Sequence, residues 1–377
     1  MSAAAAAIAG WVAETPLIDG VLFGSSDGEV SGPPVCAVAV AGGLRGYGKG
    51  ETQSEALASA VGEVLELYAA GRVDAKRLIY ASFAELGESA FDPRWLGLYS
   101  AEQYARARFP FAPFDPGAQM HWVEGRWIDS GARVYLPAFA VYLADQFAGE
   151  ALCQVTSNGL AAGDTLSAAV EHAVLELYER DAFLRSWRGL LPKRRVTGDC
   201  AGIVAHLAQC GAQTEVYLLA EMPVCVAAAV AVGDGVQWPA FTLGLGAARD
   251  SDRAVRKAIL ELGQTSPFLA RVWRTGEVRV PAKVEDIQSL QDQALYYCDA
   301  KRCPEFELWR QTADGLTTLD QADVRLAVAD ITPVELQDGP YRVVRALARG
   351  LQRVECGYGF DRVVGARRRN DAPCPIC

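Results

Sequence analysis

Three segments of the chain carry apolar residues at helical spacing, and each follows a short glycine-bearing stretch. The helical segments are 54–68, 166–183 and 252–264, and the glycine stretches are 46–50, 159–163 and 244–246. Before each glycine stretch lies a run with the composition of a strand, at 35–41, 134–142 and 224–232. Apolar periodicity of this kind predicts helices, and short apolar runs bounded by glycine predict strands. A unit of strand, glycine turn and helix that occurs three times predicts an α/β fold.

Polar side chains recur at similar spacings on all three predicted helices. On the first helix, Ser59, Glu63 and Glu66 stand at i, i+4 and i+7, which places them on one face. The corresponding side chains are Glu176, Glu179 and Arg180 on the second helix, and Glu261 and Gln264 on the third. A pattern of Glu-x-x-Glu or Glu-x-x-Gln therefore occurs once per helix.

The surroundings of these acids distinguish a solvated polar face from a binding site. The three helices are apolar nearly all the way round, a pattern that predicts burial. A buried carboxylate requires a cation or hydrogen bonds. Carboxylates from three helices would attract Mg²⁺, which prefers oxygen ligands and usually accompanies phosphates. The pattern alone is therefore compatible with solvated polar faces and with a site for a metal and a polyphosphate.

One segment is close to a different phosphate-binding motif. Residues 43–50 read Gly-Leu-Arg-Gly-Tyr-Gly-Lys-Gly, with Gly50 where a P-loop carries its metal-binding Ser or Thr. The segment also leads into a helix whose own face is acidic. We therefore interpret it as a glycine turn that carries a lysine, and not as a P-loop.

Three motifs, in order along most of the chain from about residue 35, resemble those of the YcaO family. The central motif is Ser157-Asn-Gly-Leu-Ala-Ala-Gly-Asp-Thr, followed by Glu176-Leu-Tyr-Glu179-Arg180-Asp181-Ala182. The first nucleotide motif of the family is matched by Gly48-Lys-Gly with Ser59, Glu63 and Glu66, and the third by Arg256, Glu261 and Gln264. Asp330-Ile-Thr and Tyr341-Arg-Val-Val-Arg345 resemble the family's closing strands.

The resemblance implies a YcaO-type fold that binds ATP through Mg²⁺ ions bridging the phosphates. The implied metal ligands are Glu63, Glu66, Glu176, Glu179, Glu261 and Gln264. The implied nucleotide-binding residues are these six together with Ser59, Asp164, Arg180 and Arg256. Arg180 would contact phosphate, where a charge-assisted hydrogen bond is strong. Asp164 stands where the family commonly has Asn, and Ser266 where many members have Arg, so the chain departs from the pattern at two positions.

The family resemblance also implies a reaction. Similar proteins phosphorylate a backbone amide oxygen of a peptide after a nucleophile has added to the amide carbon. A Cys, Ser or Thr nucleophile gives a thiazoline or oxazoline, external sulfide a thioamide, and an amine a macroamidine. Azoline-forming relatives often end in Pro-x-Pro-x-Pro, and this chain ends in Pro373-Cys-Pro375-Ile-Cys377. We therefore expect a cyclodehydratase whose terminal carboxylate, on Cys377 and held by Pro373 and Pro375, acts as a base.

Composition and charge narrow the class of protein. The 377 residues carry a net charge of −10, which is not that of a general nucleic-acid or membrane-surface binder. No stretch approaches the roughly 18 apolar residues of a transmembrane helix, and we expect a cytoplasmic protein. Of the ten cysteines, most stand singly in apolar context, as reduced core thiols do. A zinc site formed by Cys298, Cys303, Cys374 and Cys377 is the alternative for four of them.

These observations predict the organisation of the chain and its partners. We expect a lead segment at 1–34, a catalytic domain at 35–370 and a tail at 371–377. The family resemblance implies a precursor peptide as substrate, a separate leader-peptide-docking protein similar to ubiquitin-activating enzymes, and a flavin dehydrogenase as a further partner. A YcaO-like protein that only binds a partner, without catalysis, is the alternative from another class.

Overall fold

Strands and helices interleave along the computed structural model, which describes residues 3–24, 34–311, 315, 318–319, 322–360, 362 and 374–376. The helices are α1 Ala3–Glu14, α2 Gln53–Ala70, α3 Phe83–Leu86, α4 Ala101–Tyr104, α5 Ala138–Val141, α6 Leu166–Trp187, α7 Ile203–Gln209, α8 Ser251–Thr275, α9 Leu290–Tyr296 and α10 Pro304–Gln311. The strands are β1 Gly20–Gly24, β2 Val35–Ala41, β3 Leu44–Gly50, β4 Leu78–Ser82, β5 Gln119–Trp127, β6 Arg133–Pro137, β7 Leu160–Gly163, β8 Arg194–Val196, β9 Gln213–Ala220, β10 Cys225–Val232, β11 Thr242–Ala248, β12 Arg325–Asp330 and β13 Arg342–Arg349. The prediction of a mixed helix and sheet fold is confirmed.

The strands of the described residues form three antiparallel sheets. The first sheet has the order β1-β2-β3, and the second β11-β10-β9-β8. The third has the order β4-β5-β12-β13-β7, with β6 beside β5. Strand β7 joins the third sheet by pairing with β13, so α6 begins directly at the edge of that sheet. Helix α2 packs on the first sheet and α8 on the second, which gives each sheet one long acidic helix beside it.

Each long helix begins at a side chain that accepts a backbone hydrogen bond. Thr52, Thr165 and Asp250 are the N-caps of α2, α6 and α8. A capping oxygen satisfies one of the backbone N–H groups that the first helical turn leaves unpaired. These caps explain why the helices begin within one residue of the predicted positions 54, 166 and 252. All three helices end later than predicted, at Ala70, Trp187 and Thr275.

The glycine stretches predicted as turns are strands. Gly46–Gly50 forms the end of β3, Leu160–Gly163 is β7, and Gly244 and Gly246 lie inside β11. A Cβ atom on Gly46 would lie 2.3 Å from the main-chain oxygen of Ala60, and one on Gly163 would lie 2.3 Å from the nitrogen of Ala169. Glycine is therefore present because the helix backbone approaches the strand too closely for any side chain.

The strands predicted at 134–142 and 224–232 differ from the observed ones. The first ends at Pro137, after which Ala138–Val141 forms the short helix α5. The second is confirmed as β10, but β11 lies between it and α8. Alternate side chains of β10 face opposite clusters, Val226 and Ala228 toward α6, and Ala227 and Ala229 toward α8. A sheet covered on both faces explains why this strand is almost wholly small and apolar.

Within the described residues, no helix combines the length and the apolar character needed to cross a membrane.

Candidate nucleotide and metal site

Helices α2, α6 and α8 bring their acidic side chains to one region between the sheets. Glu63 interacts electrostatically with Glu176 and Glu261, and Glu66 interacts with Glu63 and Glu176. Glu179 interacts with Glu176 and Glu261. The five glutamates therefore form one cluster. The outermost two in the sequence, Glu63 and Glu261, are 198 positions apart.

Backbone N–H groups of neighbouring strands fix four of these carboxylates. Ala162 donates to Oε1 of Glu66 at 2.7 Å, and Gly159 donates to Oε2 of Glu176 at 3.3 Å. Leu245 donates to Oε1 of Glu261 at 3.4 Å, and Tyr47 donates a backbone hydrogen bond to Glu63. A carboxylate that is hydrogen-bonded to a strand backbone holds its orientation before any ligand binds.

Two cationic side chains enter the cluster. Nζ of Lys49 lies 3.1 Å from Oε2 of Glu261, and Nε of Arg180 lies 3.9 Å from Oε1 of Glu176 and 3.8 Å from Oε1 of Glu179. The side chains of these five residues are between 12% and 27% exposed, so they line a cleft and are not sealed in the core.

Burial changes the protonation of the acids unequally. Burial raises the pKa of Glu63 to about 7 against the opposing charge of Lys49, and raises that of Glu179 to about 7 against Arg180. Burial likewise raises the pKa of Glu66 well above its usual range. For Glu261, burial acts in the same direction, but Lys49 and Arg180 outweigh it and lower the pKa. The ionised forms of Glu63, Glu66 and Glu179 are therefore incompletely compensated by the cations nearby, and a further cation would stabilise those ionised forms.

The residues fit a magnesium ion that shares its coordination with phosphates. Among the described residues, no three Asp, Glu, His or Cys side chains are arranged to hold a metal ion by themselves. Mg²⁺ in nucleotide sites is usually held by one or two carboxylates, while phosphates and water complete its octahedron. The carboxylates of the cluster supply oxygen ligands, and Lys49 and Arg180 supply positive charge for phosphate oxygens. The arrangement therefore suits a metal–nucleotide complex better than a bare ion.

The other predicted site residues lie at different depths. Gln264 is half-buried on α8, one turn after Glu261. Ser59, Asp164 and Arg256 are exposed, and Arg256 forms an ion pair with Glu51 at the end of β3. Their roles toward a nucleotide stay predictions.

Lys49 is the site residue that the sequence analysis assigned to a turn. It lies on β3, where Gly46, Gly48 and Gly50 face α2 and the residues between them face away. Alternation of glycine over five residues is the signal that could have identified a strand, since side chains alternate between the two faces. Lys49 then points away from its own helix and reaches Glu261 of α8.

The end of the chain lies against the same cleft. Pro375 and Ile376 line a pocket together with Arg180 and Glu261. Gln293 of α9 donates through Nε2 to the main-chain oxygen of Cys374 at 2.7 Å. Pro373 and Cys377 lie outside the described residues, so the predicted base itself is not placed. The segment that precedes it is held beside the acidic cluster.

The cysteines proposed as zinc ligands do not assemble in the described part of the chain. The thiol of Cys298 donates to the main-chain oxygen of Ala294 at 3.7 Å, and that of Cys303 to Tyr297 at 3.3 Å. Burial raises the pKa of Cys303 to about 12, which favours a neutral thiol over a metal-binding thiolate. Cys377 lies outside the described residues.

Comparison with known proteins gives a family match over most of the chain. A family model described as "YcaO cyclodehydratase, ATP-ad Mg2+-binding" matches residues 47–352, which include all three acidic helices. The match confirms the resemblance drawn from the motifs and the expectation of ATP and Mg²⁺ as cofactors. A protein of Methanothermobacter thermautotrophicus, named only "Uncharacterized protein", is 30% identical over 232 residues, which are 58% of this chain and 56% of that protein.

Solved structures share the fold. "Heterocyclase in complex with substrate and Cofactor" has a TM-score of 0.73 and 18% identity, covering 93% of this chain and 52% of that chain. "The structure of YcaO from Methanopyrus kandleri bound with AMPPCP and Mg2+" has a TM-score of 0.65 and 21% identity, covering 92% and 91%. "E. coli Microcin synthetase McbBCD complex" has a TM-score of 0.64 and 14% identity, covering 89% and 88%. The chain spans about half the length of the Methanothermobacter protein and of the heterocyclase chain.

Proposed function

The chain belongs to the YcaO family, and from this premise we propose that it is an ATP-dependent cyclodehydratase of peptides. It converts Cys, Ser or Thr residues of a ribosomally made precursor to thiazolines or oxazolines, as a step in the synthesis of a peptide natural product. The observation that carries this proposal is the position of Pro375 and Ile376 in one pocket with Arg180 and Glu261. That position brings the chain end beside the cluster that suits a metal–nucleotide complex.

The acids of the cluster and its two cationic side chains, Lys49 and Arg180, would have different roles in the reaction. ATP with Mg²⁺ supplies the phosphoryl group that turns the amide oxygen into a leaving group. Glu63, Glu66, Glu176, Glu179 and Glu261, with the neutral oxygen of Gln264, would hold Mg²⁺ ions that share their coordination with the phosphates. Arg180 and Lys49 hold phosphate oxygens and neutralise their charge. Positioning by several anchored side chains contributes to rate because it removes the cost of bringing poor reactants together.

The tail supplies the proton acceptor in this scheme. Addition of the Cys, Ser or Thr side chain to the amide carbon releases its proton, and loss of the phosphorylated oxygen with the amide proton completes the ring. The net change is the loss of one water from the peptide and hydrolysis of one ATP. The carboxylate of Cys377 is the proposed base, and the buried Pro375 and Ile376 hold the chain that leads to it.

The proposed partners follow from the reaction. A precursor peptide is the substrate, and a separate docking protein similar to ubiquitin-activating enzymes binds its leader. The microcin synthetase named above is a complex of several proteins, which supports a partner-dependent enzyme. A flavin dehydrogenase that oxidises azolines to azoles is the proposed third component.

A tail variant tests the proposal. Adding two residues after Cys377 displaces the terminal carboxylate but keeps Pro375 and Ile376 in place. We expect the cyclisation rate to fall by about a hundredfold or more, the scale of a lost general base, while ATP affinity stays unchanged. The matched control carries the same two residues at the N-terminus. Deletion of the tail is a poorer variant, because Ile376 is only 2% exposed and belongs to the core between α6 and the second sheet.

Mass spectrometry of the modified precursor identifies the reaction. Cyclodehydration removes about 18 Da per modified residue, and thioamidation adds about 16 Da, as the reaction stoichiometries require. Unchanged cyclisation by the extended protein would show that the tail is not catalytic. A gain of mass would favour the thioamide reaction, and absence of nucleotide turnover with every precursor and partner would favour the non-catalytic alternative.

A further inference from the structure

A second group of charged side chains lies around Asn158, the residue before Gly159, whose N–H anchors Glu176. Arg345, Arg353 and Arg362 line a small cavity together with Asn158 and Cys153. Arg345, Arg362 and Asn158 are 2%, 5% and 6% exposed. The proposed chemistry does not use these side chains. Arg353 is half-buried, and guanidinium groups gathered around one cavity require compensation.

Several polar atoms of this cavity have no hydrogen-bond partner. Arg345 donates through Nε to Ala140 at 3.1 Å and through Nη2 to Thr156 at 2.7 Å, but its Nη1 has no partner among the described residues. Both side-chain atoms of the Asn158 amide and Nε of Arg353 are equally unpaired and buried. Buried donors are rarely left without an acceptor, so these atoms indicate an acceptor that the chain does not provide.

The charges in the cavity are only partly balanced. Arg362 pairs with Glu355, its Nε lying 2.9 Å from Oε1. No carboxylate of the described residues lies within ion-pair distance of Arg345 or Arg353. Burial lowers the pKa of Arg345 to about 10 and that of Arg353 to about 9, so both still carry a proton at neutral pH. The carboxylate of Glu176 acts on Arg345 only from beyond ion-pair distance, and Arg353 is half-buried without a carboxylate partner among the described residues. An anion in the cavity would compensate both positive charges.

The size of the cavity selects among anions. The free space is about 20 Å³, which is room for roughly one water-sized particle. A tetrahedral phosphate or sulfate carries four oxygens and needs several times this space, while a halide ion is a single atom only slightly larger than water. The donors also surround the space from different elements, as coordination of a spherical ion requires.

We propose that this cavity is a binding site for a single halide ion, chloride in its physiological form, held by the Nη1 of Arg345, the Nε of Arg353 and the amide of Asn158. The amide nitrogen of Asn158 can face the ion because the two ends of an amide exchange by a simple flip. The thiol of Cys153, whose pKa is raised by burial, stays protonated beside it.

The halide would also support the nucleotide site. Asn158 precedes Gly159, whose N–H donates to Glu176, and the main-chain oxygen of Thr156 accepts from Arg345. An ion held by Arg345 and Asn158 ties both ends of this short segment to β13. Occupancy therefore fixes the position of the backbone donor that orients Glu176.

Thermal unfolding in matched salts tests the halide site in the full-length protein. We expect the unfolding midpoint to be about 4 °C higher in sodium chloride or bromide than in sodium gluconate of the same ionic strength, if the halide is at about one hundred times its Kd. Sodium phosphate at equal ionic strength should give no rise over gluconate. No difference between chloride and gluconate, or an equal rise with phosphate, would overturn the proposal.

A shape-conserving variant localises the effect. Asn158→Leu keeps the number and branching of the side-chain heavy atoms and loses no side-chain hydrogen bond that the described residues make, so it should fold and lose the halide response. The control Arg133→Met removes an exposed arginine of β6 and should keep the response. An undiminished response in Asn158→Leu would contradict the site.

A crystal grown in sodium bromide gives a readout that needs no variant. We expect an anomalous scattering peak between Arg345, Arg353 and Asn158. A cavity that contains only water, or a carboxylate of the chain itself, would overturn the proposal. This result does not depend on enzymatic activity, so it remains decisive even if the proposed reaction is wrong.

Discussion

Two hairpin–helix units of this chain are built alike and differ in the charge of their acids. In the unit of β2, β3 and α2 and in the unit of β10, β11 and α8, two glycines of the second strand lie directly against the helix backbone. The contacts are Gly46 with Ala60, Gly48 with Ala56, Gly244 with Ala258 and Gly246 with Ala254. In each unit the strand residue between the two glycines donates its N–H to a glutamate, Tyr47 to Glu63 and Leu245 to Glu261.

The protonation of these two equivalent glutamates differs. Burial raises the pKa of Glu63 to about 7, while the pKa of Glu261 is lowered. The charge of Lys49 lowers the pKa of both glutamates, but Lys49 hydrogen-bonds only Glu261, at 3.1 Å, and Arg180 lowers the pKa of Glu261 further. Two copies of one backbone arrangement can therefore hold a carboxyl group of intermediate pKa and a firmly ionised one. The hydrogen bond from Lys49 and the charge of Arg180 together determine that Glu261, and not Glu63, is the firmly ionised one.

The largest loss of activity is expected at the proposed metal ligand that is a glutamate in the first unit and a glutamine in the second. The first helix has Glu66 where the third has Gln264, each three residues after the equivalent glutamate. Glu66→Gln makes the first unit like the second and keeps an oxygen that can accept from Ala162. We expect ATP turnover to fall by about a hundredfold to a thousandfold without loss of folding, because a metal ligand loses its charge.

Steady-state phosphate release and circular dichroism measure this outcome. Glu179→Gln should behave in the same way, and Gln264→Glu, which adds a charge without removing a ligand, should lose less activity. Turnover at the wild-type rate in folded Glu66→Gln would remove Glu66 from the metal site.

A smaller effect is expected when the contacts between strand glycines and helix backbone, which both units share, are disrupted. Gly46→Ala would place a Cβ atom 2.3 Å from the main-chain oxygen of Ala60, and Gly244→Ala would place one 2.3 Å from the nitrogen of Leu262. Each should reduce the free energy of unfolding by about 1–3 kcal/mol, because strand and helix must separate. Urea unfolding of both variants tests whether the two units tolerate the change equally.

Gly62→Ala is the matched control within α2. Its added Cβ atom would meet only Tyr341 and Ala162, at 3.7 and 3.8 Å, which is ordinary contact. Since alanine favours a helix over glycine by up to about 1 kcal/mol, this variant should be neutral or more stable. A loss of stability in Gly62→Ala as large as in Gly46→Ala would refute the explanation by close approach.

The smallest effect is expected when the charge of Lys49, which acts on the glutamates of both units, is removed. Lys49→Met removes a hydrogen-bonded charge that lowers the pKa of Glu261, so that pKa rises, and the pKa of Glu63 rises with it because Lys49 lowers that one too. Protons then compete with the metal as the pH falls, and affinity for the magnesium–nucleotide complex should drop more steeply between pH 8 and 6 than in the wild type. At pH 8 we expect a loss of about tenfold, the cost of one charge-assisted contact.

Isothermal titration with a non-hydrolysable ATP analogue at the two pH values measures this change. Lys76→Met, at an exposed position away from the cleft, is the control. Parallel pH dependence in Lys49→Met and the wild type would mean that Lys49 does not set the difference between Glu63 and Glu261.

The long elements could be predicted from the sequence because their signals are strong. Strand β2 begins and ends where its apolar run does, and the acidic helices follow from 3.6-residue periodicity and their caps. The strands β3, β7 and β11 were missed because glycine disfavours a strand when only local preference is considered. Close packing against a helix that comes later in the chain imposes glycine there, and no local pattern contains that information.

The candidate site, too, could be predicted only in part from the sequence. Helical spacing predicted which acids share a face, and the three faces do converge. Lys49 escaped prediction as a partner of Glu261 because its role depends on how two separate sheets are placed. The depth of Ser59, Asp164 and Arg256 could not be predicted either, since exposure depends on neighbours that are distant in sequence.

The contact between Lys49 and Glu261 also has a consequence for biosynthesis. It joins residues 212 positions apart, and Glu176 and Glu179 lie between them in the sequence. A ribosome that has synthesised the first two thirds of the chain has made α2 and α6 but has not yet released α8. A nascent chain can therefore fold its first sheet before it has the complete acidic cluster, which requires α8 to leave the ribosome.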